Sequence, residues 1–160
     1  MRGEQLFAEG KTMDITLRKS GPGDGKLISS MLMAANLPVE SLDNRITTFY
    51  MAEEDGKVIG MAGMEIYGEE ALLRSVTVLS GMRDKGYGSM IVDRMLDEAR
   101  NANVRSVILL TETARDFFLK KGFSVVERSG IDNAEMKRSS EFTFACPKSA
   151  VCMKLELASH

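Results

Sequence analysis

The segment from Val76 to Ser89 has the residue types of a phosphate-binding loop. An apolar run leads towards Arg83, glycines follow at Gly86 and Gly88, and an amphipathic helical pattern begins at Ser89. Glycine lets a backbone approach a ligand closely because it has no Cβ atom. The N–H groups at the start of the helix, together with its dipole, attract anions. The spacing R-x-x-G-x-G therefore predicts a pyrophosphate site.

Two other phosphate loops fit this segment less well. Gly81 and Gly86 have the spacing of a Walker A loop, but Tyr87 and Gly88 stand where that loop needs Lys and Ser or Thr. The dinucleotide motif G-x-G-x-x-G also fails, because Ile91 stands in place of its third glycine. The remaining alternative is an ordinary strand–loop–helix connection with flexible glycines.

Strands, helices and turns can be placed around this loop from the hydrophobic periodicity. The pattern predicts the order β-α-(α)-β-β-β-α-β-α-β-β and one α/β domain over 13–160, preceded by a flexible extension over 1–12. Its sheet is mixed and mostly antiparallel, has about six or seven strands, and carries helices on both faces. We expect the last strand, Val151–Leu157, to lie at a sheet edge. The chain is then a monomer or a homodimer, and pairing of two such edges would form the homodimer.

Composition bounds the class of protein. The chain has 160 residues, 44% hydrophobic and 28% charged, with a formal net charge of -2. These values fit one globular domain and give no basic stripe for nucleic acid. Neither a membrane-spanning run nor a signal peptide is recognisable, and Cys146 and Cys152 form no disulfide framework, so we expect a cytoplasmic protein. The only histidine is His160, which argues against a metal site.

Two motifs together resemble the GNAT superfamily of acetyl-CoA-dependent N-acetyltransferases. The loop is similar to their pyrophosphate loop, and Ala114–Phe123 is similar to their segment A-x-x-F-Y-x-x-x-G-F. The resemblance implies acetyl-CoA as cosubstrate and a sheet splayed between the strands at 71–79 and 105–110, with the pantetheine arm in the splay. The cofactor-binding residues that it implies are Val76, Val78, Arg83, Asp84, Lys85, Gly86, Tyr87, Gly88, Ser89, Thr111, Phe117 and Phe118.

A closer resemblance concerns the acceptor. The run Leu72–Val78 is similar to the strand E-L-R-S-L-A-V of bacterial N-acetylglutamate synthases, and Glu141–Ala150 resembles the ending E-F-x-x-x-C-P-x-S-A of arsenic-resistance acetyltransferases. Both imply a small substrate with an α-amine and a carboxylate. Arg74 and Ser75 would bind it, since a guanidinium can hold a carboxylate with two hydrogen bonds.

Each of these two residues has an ordinary alternative. Arg74 in a half-apolar strand must meet an anion, and that anion can equally be a protein acid such as Glu65 or Glu53. Ser75 can be a simple strand serine. Acetylation of a protein amine and noncatalytic binding of acyl-CoA remain rival functions.

Catalytic residues are not identified by the resemblance. The family's frequent tyrosine acid is Phe118 here, and its frequent glutamate base is Leu72. Direct attack by the amine on the thioester is feasible through positioning, but an ammonium group must first lose a proton. The candidates for catalysis are Glu65, Glu112 and Cys146. For Cys146 a packed, neutral thiol is the alternative, because no histidine is placed to activate it.

Overall fold

The computed structural model describes residues 5–6, 12–35, 47–83, 85–139, 141–145 and 149–157. The strands are β1 Gln5–Leu6, β2 Thr12–Met13, β3 Thr16–Lys19, β4 Thr48–Glu54, β5 Lys57–Tyr67, β6 Glu70–Val78, β7 Ser106–Thr111, β8 Ser124–Val126 and β9 Val151–Glu156. The helices are α1 Gly25–Ala34, α2 Tyr87–Asn101, α3 Arg115–Lys120 and α4 Ala134–Lys137, with a π-helical turn at Glu141–Ala145.

Seven strands form one sheet in the order β3-β4-β5-β6-β7-β9-β8. The pair β6–β7 is parallel, and the other described pairs of this sheet are antiparallel. The prediction of a single mixed, mostly antiparallel sheet is confirmed. A parallel pair requires a long crossover, and α2 supplies it between β6 and β7.

Helices cover both faces of the sheet, as predicted. On one face, α1 packs through Met31 and Leu32 against β4 and β5, and α4 packs through Met136 near β6 and β7. On the opposite face, α2 packs through Ile91 and Met95 against β5 and β6, and α3 packs through Phe118. The two helices that follow β6 and β7 therefore share a face.

Gly60 allows α2 to lie directly on the sheet. A Cβ atom added at this position would stand 2.5 Å from the carbonyl oxygen of Thr77 and 2.7 Å from Cδ1 of Ile91. Both separations are shorter than any ordinary van der Waals contact, and one partner is backbone. Glycine here fixes the close approach that places the start of α2 beside the end of β6.

The position of the last strand differs from the prediction. β9 lies between β7 and β8, so its assignment to a sheet edge is wrong. Cys152 and Met153 are adjacent, yet both are buried, because β9 is covered on both faces. The edge is formed by β8 instead, where Val125 is 47% exposed.

The N-terminal part contains a small separate ladder. β1 pairs with β2 antiparallel, outside the main sheet. These strands fall mainly within the extension predicted over 1–12, whose flexibility stays a prediction, as does the domain boundary at 13. No helix of the described ranges is both long and apolar enough to cross a bilayer.

Candidate active site

A cleft opens in the sheet where β6 and β7 separate. The two strands pair only at Glu70–Leu72 with Ser106–Ile108. Beyond this point β6 continues to Val78 and β7 to Thr111. Because the strands run in the same direction, the sheet opens towards their carboxyl ends. This is the splay that the sequence resemblance implied.

A β-bulge marks the beginning of the splay. Arg74 pairs with Gly63 and Thr77 pairs with Met61, so Ser75 and Val76 together oppose a single residue of β5. Ser75 has a φ of 59°, which is uncommon for a residue other than glycine. Such bulges redirect side chains and often occur beside active sites.

The start of α2 borders the open end of this cleft. Gly86 has a φ of 87° and caps the helix in the left-handed conformation. An α-helix leaves its first N–H groups without helical partners and concentrates positive potential there. A Cβ atom added at Gly88 would meet only Cγ2 of Val78, at 3.8 Å. The chain thus leaves space above Gly88, next to the exposed edge of β6.

Two basic residues lie in the loop before α2. Arg83 is exposed, and its Nε donates a hydrogen bond to the carbonyl oxygen of Val78, at 3.2 Å. Lys85 is also exposed. Both therefore stand near the splay with their charges accessible, whereas Asp84 lies outside the described residues.

Tyr87 anchors the first turn of α2 to a hairpin. Its ring is buried, and its hydroxyl group donates a hydrogen bond to Oε1 of Glu54, at the end of β4. Burial, and then this hydrogen bond, raises the pKa of Tyr87 to about 12. Sequence reasoning missed Glu54, since nothing local links it to a loop 33 residues away.

The other wall of the splay is formed by β7 and α3. Thr111 ends β7, and its Oγ1 accepts a hydrogen bond from the N–H of Ala114, at 3.1 Å. Phe118 is buried and makes edge-to-face contacts with Phe117 and Phe123, with ring centroids 5.0 and 5.4 Å apart. Thr111 thus lies at the end of β7 and Phe117 and Phe118 lie on α3, and their contact with a cofactor stays a prediction.

Arg74 lies in a buried ion pair on the face that carries α1 and α4. Its side chain is 1% exposed, and Nη1 lies 3.0 Å from Oε2 of Glu65. Its Nε lies 3.3 Å from Oγ of Ser75 and 3.7 Å from Oε1 of Glu141. Of the two protein acids considered for Arg74, Glu65 is the one that it contacts, since Glu53 pairs with Arg18.

Glu65 is enclosed by donors. In addition to Arg74, the hydroxyl groups of Thr47 and Tyr67 donate to its two carboxylate oxygens. Burial, and then the hydrogen bond to Glu65, raises the pKa of Tyr67 above its ordinary value. With an exposed fraction of 2%, Glu65 supports its neighbours from inside the sheet rather than facing a cleft.

The remaining catalytic candidates differ in position. Glu112 follows β7 directly and is exposed, and its Oε2 accepts a hydrogen bond from Oγ of Ser149, at 3.2 Å. Cys146 lies outside the described residues. Leu72 is fully buried and carries no ionisable group. Among the described candidates, Glu112 is therefore the accessible carboxylate at the open end of the splay.

The chain is similar to known proteins in sequence and in fold. The chain is 27% identical over 120 residues to an uncharacterised N-acetyltransferase of Chlorobaculum tepidum, covering 74% of each chain. It is 34% identical over 92 residues to an amino-acid acetyltransferase of Mycobacterium tuberculosis, covering 54% of this chain and 52% of that one. The N-acetylglutamate synthase of Neisseria gonorrhoeae, solved with coenzyme A and N-acetyl-glutamate, superposes with a TM-score of 0.74 at 20% identity, covering 93% of this chain and 36% of the synthase.

The chain spans about half of the Mycobacterium relative and about a third of the synthase. The activities of those whole proteins are therefore not assigned to this chain from the similarity alone. The family assignment has its own support. The family described as Acetyltransferase (GNAT) family matches residues 28–123, which is more than half of the chain and includes the splay, the glycine loop and α3. The chain belongs to the GNAT family of acetyltransferases and is an acetyl-CoA-dependent N-acetyltransferase.

Proposed function

We propose that the enzyme transfers acetyl from acetyl-CoA to the amine of a small amino-acid-like acceptor, by direct attack in a ternary complex. The observation that carries this proposal is the position of Arg74 beside the bulge at Ser75. Arg74 faces the side of the sheet covered by α1, whereas α2 lies on the other side. Cofactor and acceptor then approach the splay from opposite faces.

The cofactor is assigned to the splay and the first turn of α2. The pyrophosphate meets the N–H groups from Gly86 to Ser89, and Arg83 and Lys85 add positive charge. The pantetheine arm follows the backbone at Val76 and Val78, with Thr111, Phe117 and Phe118 on the opposite wall. Asp84 completes the loop in this proposal.

The acceptor carboxylate is assigned to Arg74 and Ser75. Glu65 holds Nη1 of the guanidinium, while Nε donates a hydrogen bond to Oγ of Ser75, at 3.3 Å, and lies 3.7 Å from Oε1 of Glu141. An incoming carboxylate has to displace Glu141 to reach the Nε edge. The name of the Mycobacterium relative, amino-acid acetyltransferase, supports an acceptor of this class.

In this proposal the acceptor nitrogen attacks the carbonyl carbon of the thioester. The new C–N bond forms, the C–S bond breaks, and coenzyme A leaves with the electron pair and takes up a proton. Phe118 has no proton to give, so the proton reaches the thiolate from water. Before the attack the ammonium loses one proton to water near Glu112, because the oxygens of Glu65 already accept three donors. A second proton leaves the nitrogen to water as the amide forms, which balances the proton that the thiolate takes up. Positioning of the two substrates supplies much of the rate, and no acetylated Cys146 is required.

Release of free thiol from acetyl-CoA tests this function. The acceptors are glutamate, methionine, and phosphinothricin-like and arsenical amino acids, each compared with its carboxamide where one can be made. We expect turnover with at least one free acid and a loss of at least tenfold in kcat/KM with its amide, since the bidentate contact disappears. Equal rates with acid and amide, or turnover only with peptides, would contradict the proposal.

Arg74→Lys separates acceptor binding from cofactor binding. Lysine keeps the positive charge but lacks the two parallel N–H donors with which a guanidinium holds a carboxylate. We expect the acceptor KM to rise about tenfold or more while the acetyl-CoA KM stays unchanged. Equal effects on both constants would remove Arg74 from the acceptor site.

A further inference from the structure

The two helices that flank the splay are joined by one lysine. Lys121 follows α3 directly, and its ammonium group reaches the first two turns of α2. Nζ lies 2.8 Å from Oδ1 of Asp93 and 3.3 Å from the carbonyl oxygen of Ser89, and it also donates to Oγ of Ser89. The lysine side chain is only 16% exposed. The contact is thus a partly enclosed bridge between α3 and α2.

The bridge spans the place where the strands beneath have separated. At the closed end of the cleft, β6 and β7 are joined by backbone hydrogen bonds up to Leu72 and Ile108. Past that end the walls are β6 with α2 and β7 with α3. Lys121 connects these walls at the level of the first turn of α2, and so fixes their separation.

The charge of Lys121 has an electrostatic consequence at the same place. A cation is favourable at the carboxyl end of α3, but it adds to the positive end of the α2 dipole. Asp93 offsets part of that charge, while its own side chain is 51% exposed. Lys121 therefore adds positive potential at the first turn of α2, in addition to that of Arg83 and Lys85 in the loop.

We propose that Lys121 is a positioning residue that sets the affinity for acetyl-CoA by holding α3 against the first turn of α2. This inference rests on the assignment of the cofactor to the splay. Lys121 acts through Ser89 and Asp93 rather than by touching the cofactor. Its loss widens the cleft and weakens cofactor binding without changing the chemistry of the bound complex.

Titration calorimetry with coenzyme A and dephospho-coenzyme A, in the absence of acceptor, tests the bridge. We expect Lys121→Met to weaken both ligands about tenfold, and Lys121→Arg to restore most of the loss. Lys120→Met, at the exposed neighbouring position, is the matched control and should bind as the parent does. A loss seen only with coenzyme A would instead indicate direct contact with the 3′-phosphate and would overturn the proposal.

Asp93→Asn further distinguishes a bridging Lys121 from a Lys121 that binds the 3′-phosphate directly. If Lys121 acts as a bridge, removing the charge of Asp93 loosens it and weakens coenzyme A binding. If Lys121 binds phosphate itself, the same change frees the ammonium group and binding becomes tighter, which would overturn the proposal. In steady state, Lys121→Met should raise the acetyl-CoA KM and leave kcat and the acceptor KM unchanged; a fall in kcat would contradict it.

Failure of the bridge and failure of the cofactor assignment give different results. If Gly88→Ala binds coenzyme A like the parent, the cofactor lies elsewhere, and both the cofactor site and the role of Lys121 are wrong. If Gly88→Ala binds weakly but Lys121→Met binds normally, only the bridge is wrong. Thermal melting checks the fold of each variant, so that a loss of coenzyme A binding is read only in variants whose melting midpoint stays close to that of the parent.

Discussion

The hydroxyl group of Tyr87, in the first turn of α2, donates a hydrogen bond to the carboxylate of Glu54 at the tip of the β4–β5 hairpin. The aromatic ring is 5% exposed and packs in the main core. The glycine loop before α2 is thereby attached to an antiparallel hairpin whose turn is fixed by Asp55 and Gly56, both with positive φ. This attachment orients the helix start before any ligand arrives.

Removal of the Tyr87 hydroxyl should therefore weaken coenzyme A binding. We expect Tyr87→Phe to raise the dissociation constant about tenfold, because a hydrogen bond to a carboxylate is lost while the ring stays packed. Glu54→Gln keeps an acceptor oxygen and should lose less than Glu54→Ala in the same calorimetric titration. Tyr50→Phe, on β4, is the control; parent-like binding by Tyr87→Phe would show that the tether has no role.

Gly88 and Gly86 should respond differently to alanine. A Cβ atom at Gly88 meets only Val78, at an ordinary contact distance, so Gly88→Ala should leave the melting temperature unchanged or slightly higher. Its methyl group would occupy the space above the helix start, and we expect coenzyme A affinity to fall at least about tenfold.

Gly86→Ala forces a side chain into the left-handed region at a φ of 87°. It should cost about 1–2 kcal/mol of unfolding free energy whatever it does to binding. Chemical denaturation and calorimetry on both variants distinguish the two effects. Weak binding in Gly86→Ala alone would point to backbone strain and away from a ligand above Gly88.

Glu65 should be a stability residue as well as a support for Arg74. Glu65→Gln leaves the buried guanidinium without its closest charge partner and should lower the unfolding free energy by about 3 kcal/mol or more. Glu69→Gln is the control, because the side chains of Glu69 and Arg105 are each 72% exposed. Loss of this pair should lower the unfolding free energy by less than about 1 kcal/mol. Urea denaturation measures both, and equal losses would refute the buried role.

Acid stability should depend on Asp24. Hydrogen bonds from Arg18 and then from the N–H of Gly21 lower the pKa of Asp24 from 3.8 to about 2. A lowered folded-state pKa means that this contribution is complete above about pH 4 and is lost as the pH falls towards 2. The difference in unfolding free energy between the parent and Asp24→Asn should shrink over that interval. Asp97→Asn, in an exposed pair with Arg100, should change stability little; a constant difference for Asp24→Asn would contradict the assignment.

Features with a local cause were predictable from the sequence. Gly122 ends α3 with a φ of 99°, and Asp55-Gly56 forms the expected hairpin turn, because a few adjacent residues determine each conformation. The helix after the glycine loop was expected to begin at Ser89, and it begins two residues earlier, at Tyr87. Helix ends vary in this way because the first turn depends on its cap.

Features that depend on contacts distant in sequence were not predictable. The bond between Tyr87 and Glu54, the bridge from Lys121 and the place of β9 inside the sheet each need the folded arrangement. The pairing of Arg74 with Glu65 was one of two open alternatives, because strand periodicity shows which face a residue occupies but not which partner it meets. The bulge at Ser75 left no signal that separates it from an ordinary strand serine.

The bulge also divides β6 into two parts with separate tasks. Residues before Ser75 pair with β5 in one register, and Thr77 and Val78 pair with it again in a register shifted by one residue. Under the proposed assignment, in which Arg74 binds the acceptor and Val76 and Val78 border the cofactor, a change of side chain in the first part alters which acceptor fits without disturbing the second. Under that assignment, acceptor choice and cofactor use can diverge independently during evolution, and protein engineers have a short segment in which to vary one while the other is preserved.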